Sequence, residues 1–381
     1  MKQLDRKSGT AYLYELVAEM GQYEDRINLG IGDPDFDTPQ HIVDATRDAL
    51  GRDGAEYSPV EGLIDLRIAV SERVKRINDI DVDPHTEVLI TNGGQEAVFL
   101  MLQAFLEPGD EIIMPAPNYH SYYDGIEFAG ARKVEVITHA EEDFRVFPER
   151  IAERITDRTR AIAFVSPNNP TGAVISPEDT LEICRIAQEH DLILLADDIY
   201  DMYTYYGARH TSPASLPGMK ERTVTLNAVS KSYAMCGWRC GWIVGPASMI
   251  DVLKRRKAAM SGPCSVASQR GALAALAGSQ DCIGDMREAY ERRGRVVTDA
   301  LDEIGVPYGT PYGGQYVFFD ITPTGYSSAE VAKRILSDAH VLVYPGFAFD
   351  DDRFMRITFL QSEEVLREAM ERVKKAMEGL L

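Results

Sequence analysis

The stretch AVSKSYAMCGWRCGW, residues 228–242, sets Lys231 among small and hydroxyl side chains and follows it with Arg239. A lysine in such surroundings can act as a nucleophilic amine and proton carrier, and an arginine offers a planar fork to a phosphate or carboxylate. Further residue types that do chemistry precede this stretch. Gly93 and Gly94, followed by Gln95, stand where a helix begins, so backbone N–H groups can approach an anion; a tight turn would use the same glycines. Tyr119 offers a ring to cover a flat ligand or to pack on the surface. Asn169, in PNNPTG (167–172), carries an amide within a proline–glycine turn. Asp197 closes an apolar run, with Asp198 beside it and Tyr200 beyond. Burying such a carboxylate is costly unless it meets a cation, and an exposed acidic loop is the plainer alternative.

Each of these residues borders a short apolar run. EVLIT (87–91) precedes Gly93, DEIIMPA (110–116) precedes Tyr119 and RAIAFVSP (160–167) precedes Asn169. LILLADD (192–198) ends in the aspartate pair, RTVTLNAV (222–229) leads to Lys231, and RCGWIVG (239–245) starts at Arg239. Helical patterns such as QEAVFLMLQAFL and PEDTLEICRIAQEH lie between. The alternation predicts an α/β fold with a mostly parallel sheet flanked by helices, and such sheets bind ligands at the carboxyl ends of their strands. Beyond about residue 283 the pattern changes to a long charged helix, the runs GGQYVFFDI, AHVLVYP and FMRITFL, and a closing helix from Ser362. Apolar positions 365, 366, 369, 370, 373, 376, 377 and 380 of that helix form a stripe at helical spacing. The expected organisation is an N-terminal segment (1–45) crossing over to a small C-terminal α/β domain (283–381), with a large ligand-binding domain (46–282) between them.

Composition narrows the partners. With 40 basic and 60 acidic residues the formal net charge is −20, which argues against nucleic acid and anionic membrane. Five scattered cysteines do not make a secreted disulfide framework, and a cytoplasmic protein is expected. Cys236 and Cys240 stand four apart, but neither a second pair nor a nearby histidine completes a zinc site, so no metal is expected. MKQLDRKSG has no apolar signal core, and no run of about 18 apolar residues predicts a membrane span.

An anion cradle, a stacking ring, an amide, a carboxylate, a lysine and an arginine at one sheet edge suit one small molecule. Pyridoxal phosphate carries a phosphate, an aromatic ring, a phenolic oxygen, a basic ring nitrogen and an aldehyde, and each needs one of these groups.

The chain also resembles the class I aminotransferases, the aspartate aminotransferase superfamily. The resemblance rests on LGIGDPDFDTP (29–39), YSPVEGLIDLR (57–67), TNGGQEA (91–97), SPNNPTG (166–172), DDIY (197–200), SKSYAMCGWRCG (230–241) and RFMRITF (353–359). It implies amino-group transfer from an L-amino acid to a 2-oxo acid by a ping-pong route. Lys231 would hold the cofactor as a Schiff base and carry the α-proton, with its pKa lowered by desolvation beside Arg239. Arg239, Ser230 and the amides of Gly93, Gly94 and Gln95 would bind the phosphate. Asp197 would hold the ring nitrogen protonated, Asn169 and Tyr200 would reach the phenolic oxygen, and Tyr119 would stack on the ring. Arg356 would fork onto the substrate α-carboxylate, Gly32 would meet that carboxylate through its backbone, and Tyr57 would reach the phosphate site of a second subunit in a homodimer. Asp198 reads as a solvent-facing or supporting acid.

Three positions depart from the family pattern. Ala228 stands where many relatives have a phosphate-binding serine, Gln95 stands where aspartate-selective relatives often have lysine, and Gly313-Gly314-Gln315-Tyr316 replaces a glycine–alanine–phenylalanine–tyrosine run. Strict aspartate specificity is not expected. The alternative activity is β-elimination or another amino-acid transformation on the same cofactor. A cofactor-binding regulator would add a DNA-binding domain, for which the chain has neither spare length nor suitable charge.

Overall fold

Seven strands of the computed structural model, which describes residues 9–51 and 56–381, form one sheet. Residues 1–8 of the expected N-terminal segment lie outside the described residues. The chain begins with α1 (Gly9–Met20), β1 (Ile27–Asn28), α2 (Gln40–Leu50), α3 (Ile64–Asn78) and β2 (Val88–Thr91). It continues through α4 (Gly94–Phe105), β3 (Glu111–Ala116), α5 (His120–Phe128), β4 (Arg132–Ile137), α6 (Pro148–Ala152) and β5 (Thr159–Val165). Next come α7 (Pro177–Glu189), β6 (Ile193–Asp197), β7 (Thr223–Ala228), α8 (Val229–Ser232), β8 (Gly241–Val244), α9 (Ala247–Met260) and α10 (Val266–Ala277). The last elements are α11 (Asp281–Ile304), β9 (Tyr316–Asp320), α12 (Ser328–Ala339), β10 (Val341–Leu342), β11 (Tyr344–Pro345), β12 (Phe354–Thr358) and α13 (Glu363–Glu378).

The strand order is β2-β8-β7-β6-β5-β3-β4. Every neighbouring pair is parallel except those made by β8, which runs antiparallel to both β2 and β7. Central strands buried on both faces read as continuous apolar runs, and every residue of β2, β3 and β7 is buried. One face packs Leu102, Tyr122 and Leu253 against the sheet, and the other packs Ile183 and Ile186. Strand β4, RKVEVI, is an addition to the expected runs. It lies at the sheet edge and carries charge there, as an edge strand does to discourage further pairing.

A second, antiparallel sheet of order β11-β12-β9 follows α11. In a separate two-stranded sheet, β1 of the N-terminal segment pairs in parallel with β10, Ile27 opposite Val341. Helix α12 starts at a capping box between Ser327 and Glu330, a device worth about 1 kcal/mol. Helix α13 buries Leu366, Ala369, Met370, Val373 and Met377, the stripe expected from its spacing. Among the described residues no helix is long and apolar enough to cross a membrane.

Candidate active site

A cavity of about 540 Å³ opens at the carboxyl ends of β2, β3, β5, β6 and β7. Of the residues singled out above, Gly32, Gly94, Gln95, Tyr119, Asn169, Asp197, Tyr200, Ser230, Lys231, Arg239 and Arg356 line it. Gly93 adjoins it through Arg239. Tyr57 does not: its side chain is 94% exposed, away from this chain's cavity.

One end of the cavity is built by a turn and a guanidinium. Gly93 has φ +83, and a β-carbon there would lie 2.6 Å from Nη2 of Arg239. Glycine is therefore required twice, for its backbone angle and for its missing side chain. Arg239 donates from Nη1 to the Cys236 carbonyl (2.9 Å) and from Nη2 to the Asn92 carbonyl (3.5 Å). It is exposed in the free chain, not buried as the surrounding stretch suggests, because the turn delivers its head to the open end of the cavity. Glu96 braces the turn from below: it accepts from the Asn92 side chain (3.0 Å) and pairs at 2.9 Å with the fully buried Lys257. The N–H groups at the start of α4 complete an electropositive corner.

Asp197 sits at the end of β6, buried, accepting from Tyr122 Oη at 3.1 Å and from the Ile199 amide at 3.1 Å. Burial pushes its carboxyl up to about 7, against the pull of these two donors. A cationic ring nitrogen in the cavity is the partner this site suits, so the residues present fit pyridoxal phosphate.

Lys231 follows β7 by three residues and reaches across to the Gly32 carbonyl, with Cys236 Sγ 3.6 Å from its Nζ. In the cofactor-free chain its pKa is raised, whereas the lowering expected above belongs to the lysine joined to the cofactor. Desolvation does pull it down, but the acidic groups facing it from Tyr316, Cys236, Tyr119 and Asp33 outweigh that pull.

At the opposite wall, Arg356 on β12 donates from Nη1 to Asn169 Oδ1 (2.8 Å) and from Nη2 to the Gly30 carbonyl (2.5 Å). Its guanidinium carbon lies 4.3 Å from the Tyr316 ring centre and 5.0 Å from that of Tyr344. The Nε is buried without a hydrogen-bond partner among the described residues. Tyr200 and Tyr316 share a 2.6 Å hydrogen bond between their hydroxyls, and burial raises the Tyr200 phenol well above its ordinary value. A β-carbon at Gly32 would collide with the Tyr316 hydroxyl, so the glycine makes room for that ring.

Asp198 takes the supporting one of the two places expected for it. It is buried, not solvent-facing, with His210 Nε2 3.2 Å away. Behind it, Arg73 pairs with Asp201 at 2.8 Å, and Asn78 joins them, accepting from Arg73 (2.7 Å) and donating to Asp201 (3.0 Å). Two carboxylates, one guanidinium and one imidazole are thus buried together, a set that is neutral when His210 is protonated. Burial pushes His210 down, but Asp198 outweighs it and its pKa is raised.

Four side chains escaped the reading of the sequence: Tyr316, Tyr122, His120 and Cys236 in its place beside Lys231. Tyr122, in the first turn of α5, stands three residues beyond Tyr119, which caps the start of that helix. His120, at the start of α5, is pushed down to about 4 by burial and by Arg356. Cys236 and Cys240 have separate surroundings, the first lining the cavity and the second fully buried.

The chain is similar to known proteins along most of its length. The family model for aminotransferase class I and II matches residues 24–373. The aromatic-amino-acid aminotransferase 2 of Thermococcus litoralis is 40% identical over 92% of this chain and 91% of its own. The arginine–pyruvate transaminase of Pseudomonas aeruginosa is 40% identical over 97% of this chain and 94% of its own. The structure of the aspartate aminotransferase of Thermus thermophilus with maleate superposes with a TM-score of 0.92 at 36% identity, covering 99% of this chain and all (100%) of that one. The three names carry three different amino donors.

Proposed function

The chain belongs to the class I and II aminotransferases, and from that membership we propose how its cavity divides the work. It is a pyridoxal-phosphate-dependent transaminase that moves the amino group of an amino acid to a 2-oxo acid; the lyase alternative is not favoured, since its relatives are aminotransferases. When bound, pyridoxal phosphate supplies an aldehyde for the amino group and a ring that draws electrons from the reacting carbon.

Lys231 holds the cofactor and, once released, takes the proton from the substrate α-carbon. Arg239, Ser230 and the amides of Gly93, Gly94 and Gln95 hold the phosphate. Asp197 keeps the ring nitrogen protonated; a cation beside it offsets the desolvation that raises its carboxyl in the free chain. Tyr119 covers the ring, and Asn169 and Tyr200 donate to its phenolic oxygen. Arg356 forks onto the substrate α-carboxylate with the backbone at Gly32 beside it, and Tyr316 holds Tyr200 in place. Residues 46–282 form the cofactor-holding domain, and 283–381 with the N-terminal segment form the smaller one. Tyr57, an exposed aromatic outside this chain's own cavity, supports a homodimer in which it reaches a second copy's phosphate site. Five free cysteines support a reducing, cytoplasmic setting.

The observation that carries this reading is that Lys231, Asp197, Arg239 and Arg356 line one cavity. It is tested by adding single amino acids to the cofactor-loaded enzyme and following the cofactor's visible absorbance. A donor should bleach the band and a 2-oxo acid should restore it, with Lys231→Ala inert. Failure with every proteinogenic amino acid would sink the reading.

A further inference from the structure

We propose that Lys257, acting through Glu96, is a positioning residue for the cofactor phosphate: it cancels the charge of the carboxylate that holds the Gly93 turn in shape. This rests on the reading that the phosphate lies between Arg239 and that turn. A lysine is seldom buried without a partner, and Lys257, in the last turn of α9, is fully buried within a single chain. Its Nζ meets both oxygens of Glu96, at 3.2 and 2.9 Å, and Ser261 Oγ at 3.3 Å. Glu96 in turn accepts from the Asn92 backbone amide at 2.5 Å, from Asn92 Nδ2 at 3.0 Å and from the Ser261 hydroxyl. The Asn92 carbonyl takes Nη2 of Arg239. A line of direct contacts thus runs from Lys257 through Glu96 and Asn92 to the guanidinium. A second contact reaches Arg239 from behind: Cys264, three residues beyond Ser261, donates from Sγ to the Arg239 carbonyl at 3.5 Å.

Charge explains the lysine. Glu96 lies in the first turn of α4, the helix whose opening N–H groups form the electropositive corner. A carboxylate can accept from a backbone amide, a side-chain amide and a hydroxyl at once, and its charge strengthens each bond, so it fixes the turn firmly. Left with that charge beside a phosphate dianion, it would repel the ligand and compete for the same helix end. Lys257 removes the conflict by making the pair neutral. The turn keeps its shape, Arg239 keeps its tether to Asn92 and the corner keeps its positive potential.

Selectivity for phosphate separates this role from a merely structural one. The full chain, stripped of cofactor, is titrated with pyridoxal phosphate and with pyridoxal, which lacks the phosphate; inorganic phosphate serves as competitor. Lys257→Gln keeps a donor for Glu96 and loses the charge. It should weaken pyridoxal phosphate and inorganic phosphate by about tenfold or more and leave pyridoxal within about twofold of the parent. Adding Glu96→Gln, which removes the charge that Lys257 answers, should return pyridoxal phosphate to within about threefold of the parent. Equal weakening of pyridoxal phosphate and pyridoxal by Lys257→Gln, or no weakening of either, overturns the proposal. Where Lys257→Gln does not fold, the double variant decides: a retained preference for pyridoxal phosphate over pyridoxal supports the proposal, and loss of that preference overturns it. If the unaltered protein binds pyridoxal as tightly as pyridoxal phosphate, it is the phosphate reading of this corner that falls.

Discussion

Arg356 and Asn169, 187 residues apart in the chain, meet through a 2.8 Å hydrogen bond from Nη1 to Oδ1. One amide thereby touches the group proposed to bind the substrate and lines the cavity proposed to hold the cofactor. The contact also orients the fork: with Nη1 and Nη2 tied to Asn169 and Gly30, the guanidinium plane is set before substrate arrives.

Replacing the fork tests that orientation. Arg356→Lys keeps the charge but not the two parallel donors, and the donor KM should rise roughly 10- to 100-fold. Cofactor affinity, measured by dialysis and absorbance, should hold. Equal losses in both would show Arg356 to be structural.

Lys231→Ala removes the amine and the proton carrier together. The half-reaction should slow by roughly 10⁴-fold or more, measured in single turnover, with circular dichroism showing the fold intact.

Asp197 gives a pH dependence with a defined sign. In the cofactor-free chain its carboxyl stands at about 7 instead of the ordinary 3.8, so the folded state holds its proton more tightly than the unfolded state. The associated stability is present below pH 4 and is lost as pH rises toward 7, by an amount on the order of 4 kcal/mol at most. Asp197→Asn should therefore make the cofactor-free protein more stable than the parent at pH 8, read by urea unfolding. The same change should weaken cofactor binding and slow amino transfer by at least about tenfold, since a neutral amide cannot hold the ring nitrogen charged.

His210 has the opposite charge type and the same slope. Its raised pKa means that its contribution is complete below its ordinary value near 6.5 and fades as pH climbs through the raised one. His210→Gln should flatten the alkaline part of the stability profile. Arg73→Met, which leaves Asp201 and Asp198 buried with one cation fewer, should cost about 3–5 kcal/mol.

Gly93→Ala should separate backbone from chemistry. It forces a side chain into φ +83 and against Arg239, so stability should drop by about 1–3 kcal/mol and the cofactor should dissociate more readily. A variant with unchanged cofactor affinity would show that Arg239 relaxes without penalty.

Much of the site was legible in the chain itself. Lys231, Asp197, Asn169 and the Gly93-Gly94 pair each follow an apolar run, and a parallel sheet brings the ends of its strands to one edge, so local pattern and fold rule together placed them. Strand β4 was harder to see because an edge strand carries charge on an open face and has no continuous apolar run. The partners were not legible at all. That Asp198 is buried against His210, that Tyr316 reaches Tyr200, that its hydroxyl bars any side chain at Gly32 and that α1 lines the cavity depend on side chains meeting across separate layers. Residue type and periodicity set what a side chain can do and which face it takes, because they act over a few residues. Which distant group it meets, and so how its charge is held, follows from packing, which joins segments far apart in the chain.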